Sequence, residues 1–154
     1  MPPEPEEKKD RPRIIAPPPL IFAAAFGFGA LLRNALPRVG SPAAGVAFAA
    51  AGLILGGWGF ATMLRAGTHI DPYKPATVLV TSGPFRFSRN PLYFSVTLLY
   101  IGAALAFRLL TALLVLPIAL IVLHFGVILR EERYLEAKFG ERYLTFRARV
   151  RRWF

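Results

Sequence analysis

The sequence contains no cysteine, and among its 154 residues there are only nine acidic side chains and two histidines. Without cysteine, a disulfide framework, a thiol nucleophile and a thiolate-bound metal are all excluded, and we predict no metal site. By contrast, 19 lysine and arginine residues give a formal net charge of +10, while 55% of the residues are hydrophobic. This combination disfavours a disordered basic tail and an ordinary soluble domain, and it is typical of a membrane protein whose charges are sorted by side.

Four apolar stretches, 14–32, 43–64, 92–107 and 109–129, contain no Lys, Arg, Asp or Glu. As a helix, the 22 residues of 43–64 would be about 33 Å long at about 1.5 Å per residue, enough for a hydrocarbon core of about 30 Å. We therefore predict an all-α polytopic membrane protein with four transmembrane helices. A water-soluble helical bundle is disfavoured because uncharged runs of this length are rare in soluble chains.

The basic residues predict the orientation of these spans. Sixteen of the 19 cations, and all nine acids, lie in segments 1–13, 65–91 and 130–154, which four spans place on one side. The positive-inside rule makes that side cytoplasmic, with both termini there, in what we expect to be a bacterial inner membrane. Residues 1–13 are expected to be flexible, and 14–154 to form one membrane-embedded domain. The expected macromolecular partner is the lipid bilayer, with no nucleic acid.

Two polar segments on the predicted cytoplasmic side, 77–93 and 130–144, flank the hairpin of the third and fourth spans. In the first, Asn90 is a good helix N-cap and Pro91 suits the first helical position. A helix that starts there would direct free amide groups at the cytoplasm, where they attract carboxylates and phosphates. The alternative interpretation is a basic interfacial loop that only caps a helix.

In the second polar segment, Glu131 and Glu132 follow directly after a membrane span. Carboxylates at a bilayer boundary are costly unless they are paired, so either neighbouring arginines or a cationic or hydroxyl-bearing ligand must satisfy them. His124 lies two helical turns earlier and would share a face with Glu131, as a structural histidine or a proton carrier. The aromatic and arginine residues of the tail, Tyr143 and Phe146 among them, favour an amphipathic helix that lies on the lipid headgroups.

Residues 81–93 (TSGPFRFSRNPLY), the acidic pair and the later Phe139, Gly140 and Tyr143 carry a family resemblance. They resemble the isoprenylcysteine carboxyl methyltransferase and phospholipid methyltransferase superfamily, which consists of integral membrane enzymes that use S-adenosylmethionine. The resemblance covers roughly residues 65–152 and depends on the order and spacing of both motifs.

The resemblance implies that S-adenosylmethionine is held between the loop before one membrane helix and the acidic pair after the next. The implied cofactor-binding residues are Val78, Leu79, Val80, Gly83, Phe85, Asn90, Pro91, Leu92, Tyr93 and Glu131. No catalytic residue is assigned, and the candidates for that role are Arg89, Asn90 and Glu132.

The chain departs from the family pattern at two positions of the implied site. Asn90 replaces a frequent histidine and cannot change charge. Val127 replaces the arginine that binds the substrate carboxylate in prenylcysteine enzymes. The sequence thus predicts an S-adenosylmethionine-dependent methyltransferase that acts on a lipophilic or membrane-accessible small substrate by direct methyl transfer. The alternatives are an NADPH-dependent membrane reductase of the sterol type and a non-enzymatic membrane component.

Overall fold

The computed structural model describes residues 12–69 and 74–153, and all regular secondary structure in this part of the chain is helical, with no strand. The expected flexible segment 1–13 lies outside the described residues except for Pro12 and Arg13. The helices are α1 (Pro18–Leu31), α2 (Pro42–Arg65), α3 (Pro91–Ala106), α4 (Leu110–Leu123), α5 (Leu129–Phe139) and α6 (Glu141–Arg149). A 3₁₀ turn (Gly83–Arg86) precedes α3, and a π turn (His124–Ile128) joins α4 to α5.

Two helical stretches are long and apolar enough to cross a membrane: α2, with 24 residues, and the continuous stretch Leu110–Phe139, with 30. The other two apolar helices are shorter, with 14 residues in α1 and 16 in α3. These correspond to about 21 Å and about 24 Å of helix, less than the roughly 30 Å of a hydrocarbon core. The described helices thus support a membrane protein with two candidate spans, and the four-span arrangement stays a prediction.

The first helix begins four residues later than predicted, at Pro18 instead of residue 14. Pro17 has φ −59° and ψ 131°, an extended conformation outside the helical region. The physical reason is that a proline disfavours helical geometry in the residue that precedes it, so Pro18 keeps Pro17 extended. Pro18 itself suits the first helical position, where the missing amide has no partner to lose. The extended segment is fixed by its own contacts, since the Ile15 amide donates to the carbonyl of Gly126 at 3.2 Å.

Helices α2 and α3 pack along a row of small residues. Gly45, Gly52 and Gly59, spaced seven residues apart, are all buried. A Cβ atom on Gly45 would lie 2.7 Å from the carbonyl oxygen of Gly102 and 2.6 Å from the amide of Ala106. The two backbones therefore touch directly, as small residues at a helix interface permit.

Helix α1 packs on α4 through a similar close contact. The Thr111 hydroxyl donates to the carbonyl of Gly29 at 2.6 Å, and Gly29 lies against the backbone of Ala112. The carbonyl of Ala112 in turn accepts from the Tyr100 hydroxyl at 2.8 Å, which joins α3 to the same contact. Buried hydroxyl groups in this region are thus satisfied by carbonyl oxygens of neighbouring helices.

The predicted tight hairpin between α3 and α4 is present. Arg108 adopts φ +56°, a left-handed conformation that reverses the chain within three residues. Beyond α4, the π turn takes in an extra residue, so the i to i+7 spacing that would align His124 with Glu131 does not apply. The His124 ring instead packs edge-on against Phe125 with centroids 4.9 Å apart, and it does not line the cavity described below.

We expect Gly45→Ala to destabilise the protein, because its new methyl group would overlap backbone atoms of α3 that cannot move independently. Overpacking of this kind costs about 1–3 kcal/mol. The matched control is Gly57→Ala on the exposed side of α2, where nothing lies within 4 Å of the added Cβ. The control should be neutral or slightly stabilising, since alanine favours helix over glycine. Thermal unfolding in detergent would compare them, and equal midpoints would contradict the close packing.

Candidate active site

The first turns of α3 and α5 meet at the predicted cytoplasmic end of the helices. The Tyr93 hydroxyl donates to Glu131 Oε1 at 2.8 Å, although the two residues are 38 positions apart. Because the α3–α4 hairpin returns the chain to its starting level, the segment before α3 lies beside the segment after α4. The expectation that the two polar segments are neighbours is confirmed.

The neighbouring carboxylate, Glu132, is 8% exposed and is held between two arginines. Arg152 binds it with both ends of the guanidinium, Nε at 2.9 Å and Nη2 at 2.8 Å, while Arg89 Nη1 approaches Glu132 Oε1 at 2.9 Å. The hydrogen bonds with Glu132 raise the pKa of Arg152 above its ordinary value. Pairing with arginine therefore accounts for Glu132, whereas Glu131 accepts its hydrogen bond from Tyr93.

Arg89 is the most constrained cation of the site, with only 10% of its side chain exposed. Besides Glu132, its Nη1 donates to the Tyr143 hydroxyl at 3.4 Å. Burial raises the pKa of Tyr143, and the Glu132 carboxylate adds to this effect, so the phenol stays protonated. Arg89 Nε is buried with no hydrogen-bond partner among residues 12–69 and 74–153. This buried donor is therefore unsatisfied within the described chain, in a residue that lines the cavity described below.

Asn90 occupies the N-cap position of α3, but its side chain does not cap the helix. Its amide Nδ2 donates to the carbonyl of Arg152 at 3.1 Å, and its backbone amide donates to Ser88 Oγ at 3.1 Å. The predicted start of α3 at Pro91 is correct, whereas the expected capping by Asn90 is wrong, because the C-terminal segment takes its side chain. The Asn90 side chain consequently leaves the first-turn amide groups of α3 uncapped.

These residues form part of the wall of a cavity of about 590 Å³, a size within the usual range for small-molecule sites. Six of the ten predicted cofactor-binding residues line it: Phe85, Asn90, Pro91, Leu92, Tyr93 and Glu131. The three catalytic candidates, Arg89, Asn90 and Glu132, line it as well. Val78, Leu79, Val80 and Gly83 are not among the lining residues, and their predicted role stays a prediction. For Gly83 the structure gives a conformational reason, φ +58° beside the Thr62 side chain.

Several cavity residues were missed by sequence reasoning. The walls include Pro12 and residues 17–19 before and within α1, Phe60 and Met63 of α2, and Tyr143 and Phe146 of α6. The interpretation of Tyr143 and Phe146 as lipid-facing is corrected, since both are buried against the protein. The only available signal was their spacing of three residues, which marks one face of a helix without saying what that face contacts.

Comparison with known proteins places the chain in a family. Residues 41–142 match the phospholipid methyltransferase family. The chain belongs to this family. Curated proteins and solved structures yield no match. Membership implies methyltransferase activity in general and, with the two apolar helices, a membrane protein. The family match contains the first turns of α3 and α5, but it leaves out α1 and most of α6.

We expect Glu132→Gln to destabilise the fold, because it leaves two guanidinium groups beside a neutral amide in a buried site. Loss of one partner of a buried ion pair costs on the order of 3 kcal/mol. The control is Glu136→Gln, which removes an exposed pair with Arg147 at 2.8 Å and should cost less than about 1 kcal/mol. Denaturant unfolding without added ligand would measure both, and similar losses would show that burial of Glu132 contributes little.

Proposed function

We propose that the protein is an S-adenosylmethionine-dependent methyltransferase that acts on a lipophilic, membrane-accessible acceptor. One observation carries the proposal: in a member of the phospholipid methyltransferase family, the Tyr93–Glu131 pair and the uncapped start of α3 converge on one cavity. Charged and hydrogen-bonding side chains come from α3 and α5 and from the segments beside them, including His69, Lys74, Arg89, Asn90 and Tyr143, and much of the rest is apolar.

The polar residues of the cavity suit each functional group of S-adenosylmethionine. The unpartnered Nε of Arg89 and the first-turn amides of α3 suit its carboxylate. The Glu131 carboxylate, already oriented by Tyr93, suits the ammonium or the ribose hydroxyls. The ring of Phe85 lines the same cavity and suits the sulfonium cation. The residues present therefore fit this cosubstrate.

When bound, S-adenosylmethionine would supply an electrophilic methyl group on a positively charged sulfur. In a direct displacement, the bond from the acceptor nucleophile to the methyl carbon forms while the carbon–sulfur bond breaks, and its electron pair stays on sulfur. The chain's contribution would be to bind, to align and to exclude water. Holding two reactants in line can contribute about 7–11 kcal/mol to the barrier reduction. No side chain is assigned as a general base.

The apolar wall supports a lipophilic acceptor. Phe60 and Met63 of α2, Val96 of α3 and the prolines at residues 17–19 contribute carbon surface to the cavity. Proline offers no backbone donor, so this side of the cavity holds few groups that would select a polar acceptor. A cavity with one apolar side and one polar side matches a methyl acceptor that has an apolar body and a nucleophilic head and that is supplied from the bilayer.

We further propose that α1 to α4 all cross the bilayer and that the site lies on the cytoplasmic side. The cations at positions 86, 89, 130 and 133 support this, because they collect at the same end of the helices as the cavity. The exposed cations of α6, Arg142, Arg147 and Arg149, would face anionic headgroups, while its aromatic face closes the cavity.

We expect Glu131→Gln to weaken binding of S-adenosylmethionine by roughly tenfold to a hundredfold, since a hydrogen bond to a charged group contributes about 1.5–3 kcal/mol. Glu136→Gln, which removes an exposed carboxylate five residues later on α5, should bind like the wild type. Isothermal titration calorimetry on the detergent-purified protein would measure both dissociation constants. Equal binding by the two variants would contradict the site.

The same titration separates the alternative functions. Wild-type protein that binds NADPH and not S-adenosylmethionine would favour a membrane reductase. Binding of neither compound would favour a non-enzymatic component. A radiolabelled methyl-transfer assay over lipid extracts would then identify the acceptor class for a protein that binds S-adenosylmethionine.

The absence of cysteine makes the topology directly testable. We expect Asn34→Cys, in the exposed turn after α1, to react with a membrane-impermeant maleimide added to intact cells. Ala137→Cys, on the exposed face of α5, should react only after the membrane is opened. Protection of position 34 together with labelling of position 137 would reverse the proposed orientation, and labelling of both would contradict the odd number of spans (α2, α3 and α4) between them.

A further inference from the structure

After α6 ends, the last described residues, 150–153, fold back to the N-terminal end of α3. Val150 is extended, with φ −118° and ψ 127°, so the chain leaves α6 without a further helical turn. This C-terminal segment lies beyond residues 41–142, which match the family. Its contacts nevertheless fall on residues that line the proposed site.

The backbone of the C-terminal segment binds the loop before α3 at three points. The carbonyl of Arg151 accepts from the backbone amide of Arg89 at 2.9 Å. The carbonyl of Arg152 accepts from Ser88 Oγ at 3.2 Å and from Asn90 Nδ2 at 3.1 Å. Three consecutive loop residues are thus fixed by two consecutive carbonyl groups.

The Arg152 side chain secures this arrangement from the opposite side. Its guanidinium holds both oxygens of Glu132, and Trp153 next to it packs against the hydrophobic core. A bidentate pair of this kind fixes orientation as well as distance, because a planar fork matches a planar carboxylate. Arg152 thereby connects the first turn of α5 to the loop before α3.

The position of Arg89 depends on this connection. Arg89 contacts Glu132 through Nη1, while Arg152 holds both carboxylate oxygens, and Arg89 Nε stays buried and unpartnered within the described chain. If Arg152 were absent, both oxygens of Glu132 would be open to a two-point pair with Arg89. That pair would re-orient the Arg89 guanidinium, which lines the cavity, and shift the start of α3.

We propose that Arg152 is a positioning residue for cosubstrate binding, which acts through Glu132 and through the loop of Ser88, Arg89 and Asn90. The inference rests on the proposed function, since the donor that Arg152 orients is assigned there to S-adenosylmethionine. It assigns a role in the site to a residue outside the family match.

The experiment measures the dissociation constant of S-adenosylmethionine for Arg152 variants of the full chain in detergent. Arg152→Ala is expected to raise it roughly ten- to a hundredfold, the effect of losing one hydrogen bond to a charged group of the ligand. Arg152→Lys, which keeps the charge but not the fork, should lie between Arg152→Ala and the wild type. Addition of millimolar guanidinium chloride, compared with equal sodium chloride, should restore part of the affinity of Arg152→Ala and leave the wild type unchanged.

The matched control is Arg151→Ala, which removes an exposed neighbouring guanidinium but keeps the carbonyl that binds Arg89. It should bind like the wild type. Wild-type affinity in Arg152→Lys would overturn the inference, and this variant serves even if Arg152→Ala does not fold. The inference would also be overturned if folded Arg152→Ala lost affinity for S-adenosylmethionine and guanidinium did not restore it. In that case the role of Arg152 would be structural only. Failure of the wild type to bind S-adenosylmethionine would overturn the proposed function, and this inference with it.

Discussion

The buried carboxylate of Glu132, held between Arg89 and Arg152, is the interaction on which the site depends. An unpaired carboxylate at 8% exposure would be strongly unfavourable, so the chain must bring cations to it from distant positions. One cation comes from the loop before α3 and the other from the C-terminal segment. The Glu132 carboxylate thereby joins α5, the loop before α3 and the C-terminal segment at the wall of one cavity.

The division of roles between two adjacent carboxylates follows from this constraint. Consecutive residues of a helix point about 100° apart, so Glu131 and Glu132 cannot both face the same partner. Glu132 is fully engaged by arginine and holds the site together. Within the described chain, Glu131 accepts from a neutral phenol, Tyr93, and its carboxylate has further accepting capacity, which the proposed function uses for a ligand.

Much of the fold could be predicted because it follows from local patterns. Uncharged runs located the four apolar helices, and Pro91 marked the start of α3. Motif order also predicted that Tyr93 and Glu131 would share a site. The errors arose where a distant segment intervened: the Asn90 side chain was taken by the carbonyl of Arg152, and Tyr143 and Phe146 turned inward.

The sequence by itself determined the class of this protein, since hydropathy, charge sorting and motif spacing are properties of the chain that do not require its neighbours to be known. Only the tertiary structure decided which carboxylate is paired, which arginine keeps a free donor, and that residues 150–153 lie against the start of α3. These outcomes depend on distances between residues that are far apart in sequence, such as Ser88 and Arg152. A periodic pattern reveals that a helix has two faces, but the partner of each face is set by the whole fold.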